Sequence, residues 1–359
     1  MDLRKTILIV CEGESTEPEY FGEVRDYILQ KFDGIGIKIL PKPKSDKEEE
    51  RQLREGAKRR QLRKIDEKLE AELISFEIEQ QYKAQPTRYV RQAQLGLIDG
   101  SYDEAWAVFD KDGHPAQEAA FELSRRVIKS KVVNIAFSSV AFEHWILLHY
   151  EQNSHPFQKP KCRRGGEYFE CGSLTHPDDC HGERCICGYL TVKGYNPEEC
   201  DRKTFSFFHH FTRLHKAFAN AVWLRKFNER ANNNIPIYNL NPYTDIDKLI
   251  FKLININSEF VWVKKNGEGT PPYIEFNLTI QPNSIQFSLS NLTGKNLIVD
   301  HNSLYIIDEQ GNTYSFGRRE TVAHEAIYNE EFDLVMLDGH SPVYFYYSHE
   351  GHLNIISDC

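Results

Sequence analysis

Four short apolar runs, each closed by a turn and most followed by a helical pattern, constrain this chain more than any other feature of its sequence. Ile7-Leu8-Ile9-Val10, residues 35–40, Ala105-Trp106-Ala107-Val108-Phe109 and residues 132–137 read as buried strands. Runs apolar on both faces belong in a largely parallel sheet covered by helices on both sides. Between them, Thr16 and Glu19 have capping-box spacing, and Tyr20, Phe21, Val24, Tyr27, Ile28 and Phe32 form a helical stripe. Helical patterns also cover residues 116–129, 141–150 and 207–224, and a further helix starts at Asn241-Pro242-Tyr243-Thr244-Asp245 and ends near Ile254. The predicted class is α/β, and in such folds active residues sit at the carboxyl ends of the strands.

Two insertions and a change of character divide the rest. Residues 42–95 read as a charged helical insertion; within 46–72 the nine acidic residues balance nine basic ones, with Leu62, Ile65, Leu69, Leu73 and Phe76 at helical spacing. That pattern fits a solvated helical arm with one buried stripe, or an arm used for homo-oligomer formation or a partner. Residues 154–203 are rich in cysteine, glycine and proline and form the second insertion. Beyond residue 258, short strand-like runs (260–263, 274–280, 285–289, 304–307, 343–346) alternate with turn signals, as in a β-sandwich. The expected division is a catalytic domain over 1–258 and a sandwich-like accessory domain over 259–359.

No stretch approaches eighteen apolar residues, and the first residues run into a strand without a signal-peptide plan, so a cytoplasmic protein away from membranes is expected. The net charge of -9 argues against a broadly basic nucleic-acid-coating surface but leaves room for a local basic channel.

Glu12 follows the first strand directly, and Asp110 and Asp112 end the third, with Gly13 and Gly113 permitting close approach. Carboxylates at the mouths of parallel strands can converge on a hard cation such as Mg²⁺ or Mn²⁺, which prefers oxygen ligands and activates phosphodiesters. The same residue types also serve as ordinary turn formers and caps. Glu17, in the first helical turn, reads either as a further ligand or as a charge on the helix dipole. Lys111 should point away from its two neighbours, and His149 reads as a core histidine. Lys193, Arg202 and Lys203 are candidate cations by position.

Three blocks in order carry a resemblance. The first runs from Ile7 through Val10-Cys11-Glu12-Gly13-Glu14-Ser15-Thr16-Glu17-Pro18-Glu19-Tyr20-Phe21; the second is Val108-Phe109-Asp110-Lys111-Asp112-Gly113-His114; the third runs from Ala136 through Ser138-Ser139-Val140-Ala141-Phe142-Glu143-His144-Trp145 to Tyr150. They resemble the motifs of the RloB family, and Asn241-Pro242-Tyr243-Thr244 resembles the start of that family's last helix. The resemblance implies a Toprim-like domain over residues 4–255, related to that of OLD-type nucleases. It places the Toprim glutamate on Glu12, the aspartate pair on Asp110 and Asp112, and an additional acidic ligand on Glu143. It further implies a metal-dependent nuclease acting on DNA or RNA, including tRNA, in anti-phage defence, in some cases beside an ATPase partner. Two other readings remain: phosphoryl transfer or hydrolysis on a nucleotide, and a non-catalytic module that binds an ATPase partner or a phage signal.

Five of the eight cysteines fall between Cys162 and Cys187. In a reducing compartment such a group points to metal, or to free or redox-active thiols, rather than to structural disulfides. The segment has few large aliphatic residues and would not easily order itself without a metal, which favours a structural Zn²⁺ over free thiols. Cys171, Cys180, Cys185 and Cys187 are the expected ligands, with Cys162 as the substitute.

Overall fold

The structure is a computed structural model that describes residues 5–13, 15–30, 35–43, 46, 85–111, 117–164, 167–168, 171, 180–195, 205–231, 234–254, 273–281, 283–292, 296–299, 303–323, 326–337, 340–349 and 352–357. The proposed oligomerisation arm (the charged stretch 46–72), apart from Asp46, lies outside them, as do Asp112, His114, Arg202, Lys203 and the run at 260–263.

Strand β1 (Lys5–Cys11) leads into α1 (Thr16–Leu29), β2 (Ile35–Leu40) follows, and α2 (Gln85–Asp99) leads into β3 (Glu104–Asp110). Then come α3 (Gln117–Ser124), β4 (Val133–Ser139), α4 (Glu143–Leu148), the short pair β5 (Arg163–Arg164) and β6 (Glu167–Tyr168), α5 (Ile186–Val192), α6 (Phe207–His210), α7 (Leu214–Ala231), β7 (Tyr243–Thr244) and α8 (Ile246–Ile254). The main sheet has the order β2-β1-β3-β4-β7, with β7 antiparallel to β4 and the other pairs parallel.

Side-chain alternation along the strands builds two cores. Ile7, Ile9, Cys11, Trp106 and Val108 face one side, where α1, α4, α7 and α8 pack. Leu8, Val10, Ala105, Ala107 and Phe109 face the other, against Val90, Ala93 and Leu97 of α2 and Ala120 and Leu123 of α3. Neighbours in sequence on a strand point to opposite faces, so one sheet carries both layers.

Two sequence boundaries shift. Helix α2 is an integral cover of the sheet, so the helical insertion cannot extend to residue 95. Residues 243–244, expected as the start of a helix, instead form an edge strand before α8; Asp245 fixes them by accepting the Phe137 N–H at 2.6 Å while its own N–H reaches Phe137 O at 3.1 Å.

The C-terminal region is antiparallel. Strands β8 (Tyr273–Ile280), β9 (Ser284–Leu292) and β14 (Ile327–Asp333) form one sheet, and β11 (Leu304–Asp308), β12 (Thr313–Phe316), β15 (Pro342–His349) and β16 (His352–Ser357) another, with β10 (Leu297–Val299) paired to β13 (Glu320–Val322). Inward residues such as Phe287, Leu289, Ile306, Phe316 and Phe345 share one core. This region also joins the α/β unit: Ile307 and Tyr344 pack into the first core, and the Tyr344 hydroxyl donates to Asp247 Oδ2 at 3.1 Å. Asp247 is fully buried and held by both terminal nitrogens of Arg225 at 2.7 Å.

Candidate functional site

Three neighbouring strands of the sheet, β1, β3 and β4, deliver acidic residues at their carboxyl ends. Glu12 leaves β1 with its N–H on Val108 O at 2.9 Å, and its Oε2 accepts the Asp110 N–H, also at 2.9 Å, so the ends of two strands are tied through one carboxylate. The Tyr89 hydroxyl donates to Glu12 O at 3.3 Å. Gln117 Nε2, from α3, closes the end of β3 by donating to Asp110 O at 2.9 Å and Lys111 O at 3.2 Å. Strand alternation carries Lys111 away from this group, and its ammonium reaches Asn239 O at 3.0 Å.

Glu143 opens α4 after the turn that follows β4 and is 5% exposed. The same turn brings the Phe142 N–H onto the Asp110 carboxylate. Glu17, in the first turn of α1, is also 5% exposed, and it sits against Gly13 so closely that a Cβ there would lie 2.0 Å from Glu17 Oε2.

The electrostatic consequence falls on Asp110. Burial first, then the charges of Glu17, Glu143 and Glu12 in that order, hold its carboxyl well above the usual carboxylate range, against the Phe142 N–H. Burial and Glu17 likewise push the Cys11 thiol up, and burial with Glu12 raises Tyr89 to about 12. Four carboxylates that repel one another favour taking up a proton or a cation. Their all-oxygen chemistry suits a hard divalent ion, and the missing Cβ of Gly13 is what lets the Glu17 carboxylate enter the group. They are not drawn tight: among the described residues, no three of these carboxylates bring oxygens within 4.8 Å of one another.

The structure thus brings together Glu12, Asp110 and Glu143 and adds Glu17, whose first-turn position gave two readings in the sequence. Its burial against Asp110 was not visible there. His149 is a core residue, its Nδ1 3.0 Å from Trp145 O, and Lys193 lies over the Tyr189 ring.

A second group is formed by sulfur. The Sγ atoms of Cys162, Cys171, Cys180 and Cys185 all lie within 4.8 Å of one another, and all four residues are buried. Cys180 is 3.5, 3.3 and 3.4 Å from Cys162, Cys171 and Cys185 respectively. Tetrahedral zinc, with Zn–S of about 2.3 Å, sets its sulfurs about 3.8 Å apart, so this group can hold one metal ion such as zinc. Burial pushes the Cys180 thiol up, but the Arg184 backbone N–H and the three neighbouring thiols outweigh it and bring it to about 6. Gly188 is required here, because a Cβ would meet Cys185 Sγ at 2.7 Å and Cys171 Sγ at 2.8 Å.

The ligand set differs from the expected one by a single exchange. Cys162 takes the place of Cys187, whose Sγ donates instead to Glu143 Oε1 at 3.6 Å. Cys185 caps α5 and Cys187 is two residues into the turn; at about 100° per residue the two cannot face the same way.

The family model described as RloB-like protein matches residues 7–253, a span that contains every residue of both groups. The chain belongs to the RloB-like family. No curated protein matches it. The RloB-like span ends within α8, so the antiparallel C-terminal sheets lie outside it. Among the described residues, no helix is long and apolar enough to cross a membrane.

Proposed function

We propose that this RloB-like protein is a metal-dependent, Toprim-like nuclease that hydrolyses phosphodiester bonds of DNA or RNA in anti-phage defence. The observation that carries the reading is the gathering of Glu12, Asp110, Glu17 and Glu143 at the ends of adjacent parallel strands, an arrangement that raises the proton affinity of Asp110. A phosphodiester is itself anionic and would be repelled by these four carboxylates unless a cation neutralised them.

In this reading Glu12, Asp110 and Glu143, together with Glu17, hold Mg²⁺ or Mn²⁺, and Asp112 joins them by its place two residues after Asp110. A divalent cation bound there supplies Lewis-acid activation of the phosphoryl oxygen and a water of lowered pKa. The protein's own part is preorganisation. The Asp110 N–H fixes Glu12, the Phe142 N–H fixes Asp110, and the Cys187 thiol contacts Glu143. The four-cysteine group holds a structural Zn²⁺ that orders the segment between α4 and α5.

The test is incubation of pure protein with plasmid, total RNA and nucleotides in Mg²⁺ or Mn²⁺. Cleavage of nucleic acid that disappears in Asp110→Ala supports the nuclease reading. Hydrolysis of nucleotides alone would move the function to phosphoryl transfer, and a protein inert on all three would leave a binding module for an ATPase partner or a phage signal.

A further inference from the structure

The two groups of ligands are joined by three residues. Cys185 points into the sulfur group, Ile186 is fully buried in the main core, and Cys187, 3% exposed, places its Sγ on Glu143 Oε1. Helix α5 is seated on this short span, and both of its first two N–H groups are bonded to the chain just ahead of Cys162: Ile186 N to Lys159 O at 3.2 Å and Cys187 N to Pro160 O at 3.0 Å. The position of the Cys187 thiol is therefore set from both sides by residues adjoining sulfur ligands.

The first turn of α5 is held on one side by Ile186 and Cys187 in the main core and on the other by the sulfur group. Among the described residues, the buried cluster around the four sulfurs consists of the cysteines alone, with no aliphatic side chain in it. The far half of α5 is anchored separately, because the Tyr189 hydroxyl donates to Glu151 at 2.7 Å, Tyr195 does so at 3.2 Å, and Leu190 is buried in the main core. An empty sulfur group would remove one of the two supports of the first turn and leave the remainder of the helix in place.

We propose that the cysteine group is a remote clamp on the carboxylate site, with Cys187 as the positioning residue that transmits it to Glu143, so that Zn²⁺ at the first site sets divalent-cation affinity at the second. This rests on the metal reading of the carboxylates given above. Groups that hydrogen-bond a metal ligand from behind fix its orientation, and their removal costs about 10–100-fold in metal affinity. A thiol is a weak donor, which puts Cys187 at the lower end of that range.

The test uses the full chain and two readouts independent of turnover: zinc per chain by elemental analysis, and Mn²⁺ affinity from the loss of the free Mn²⁺ electron paramagnetic resonance signal. Cys187→Ala should keep its zinc and bind Mn²⁺ about 10-fold more weakly, and Cys187→Ser should recover most of the difference. Cys162→Ser should lose zinc and weaken Mn²⁺ binding by a similar factor. If that variant does not fold, wild-type protein stripped of zinc by a zinc-selective chelator that is then removed, with its circular dichroism intact, should show the same weakening. Wild-type Mn²⁺ affinity in zinc-loaded Cys187→Ala would overturn the clamp and leave the metal reading standing. Wild-type Mn²⁺ affinity in folded, zinc-free protein would overturn the transmission from the sulfur group, and wild-type protein purified without zinc would do the same. Absence of any Mn²⁺ binding that Asp110→Asn removes would overturn the metal reading itself, and the clamp with it.

Discussion

Replacing Gly13 with alanine challenges the carboxylate site with a single methyl group. The new Cβ would lie 2.0 Å from Glu17 Oε2 and 3.0 Å from its Cδ, whereas ordinary contacts begin at 3.4 Å. The oxygen must therefore retreat by about 1.4 Å, the difference between 2.0 and 3.4 Å. Gly13 has no positive φ, so alanine adds no backbone strain, and the group that yields is the end of a flexible side chain. The cost to stability should stay below the ~1–3 kcal/mol of an overpacked rigid core. Function should respond far more strongly, since displacing a group at a reacting site by about 1 Å can cost on the order of 10²-fold. Glu17 is the largest charge acting on Asp110, so its retreat should also lower the Asp110 carboxyl towards the ordinary range. Mn²⁺ titration and nucleic-acid cleavage across pH, beside a thermal melt, read all three effects. A Gly13→Ala protein that melts normally, binds Mn²⁺ as wild type does and cleaves at full rate would refute the placement of Glu17 in the site.

Other outcomes can be stated more briefly. Asp110→Asn should lose nearly all cleavage yet be no less stable than wild type in metal-free buffer: the raised Asp110 pKa means that stability is lost as pH rises, and the amide removes that loss. Urea melts at pH 8 would count against this if they showed the variant clearly weaker. Asp245 is raised from 3.8 to about 6 by burial, and at ~1.4 kcal/mol per pKa unit this makes the fold about 3 kcal/mol less stable above pH 6 than below the unfolded value. Asp245→Asn keeps an acceptor for the Phe137 N–H, so its stability advantage over wild type should grow between pH 4 and pH 7, and parallel pH curves for the two proteins would exclude the effect. Gly188→Ala should purify with little zinc, because its Cβ would intrude on two sulfurs; a full zinc complement would show that the cysteine group closes differently.

The sequence determined the frame. Period-two alternation in runs such as Ile7 to Val10 assigns each side chain to one face of a strand, and the local sterics of a chain are sufficient to produce that geometry. The places of Glu12 and Asp110 were legible for the same reason, because a residue at the end of a buried parallel strand must emerge at the carboxyl end of the sheet. Helix α2 was masked by the charged stretch before it, since periodicity marks a helix but not the sheet on which it packs. Tertiary structure alone decided three matters: that Glu17 turns inward beside Asp110, that Cys162 rather than Cys187 completes the sulfur group, and that Cys187 instead meets Glu143. Each depends on contacts between residues far apart in the chain, 44 positions for Cys187 and Glu143 and more than twice that for Glu17 and Asp110, and spacing along a sequence carries no information about which distant side chain fills the space opposite.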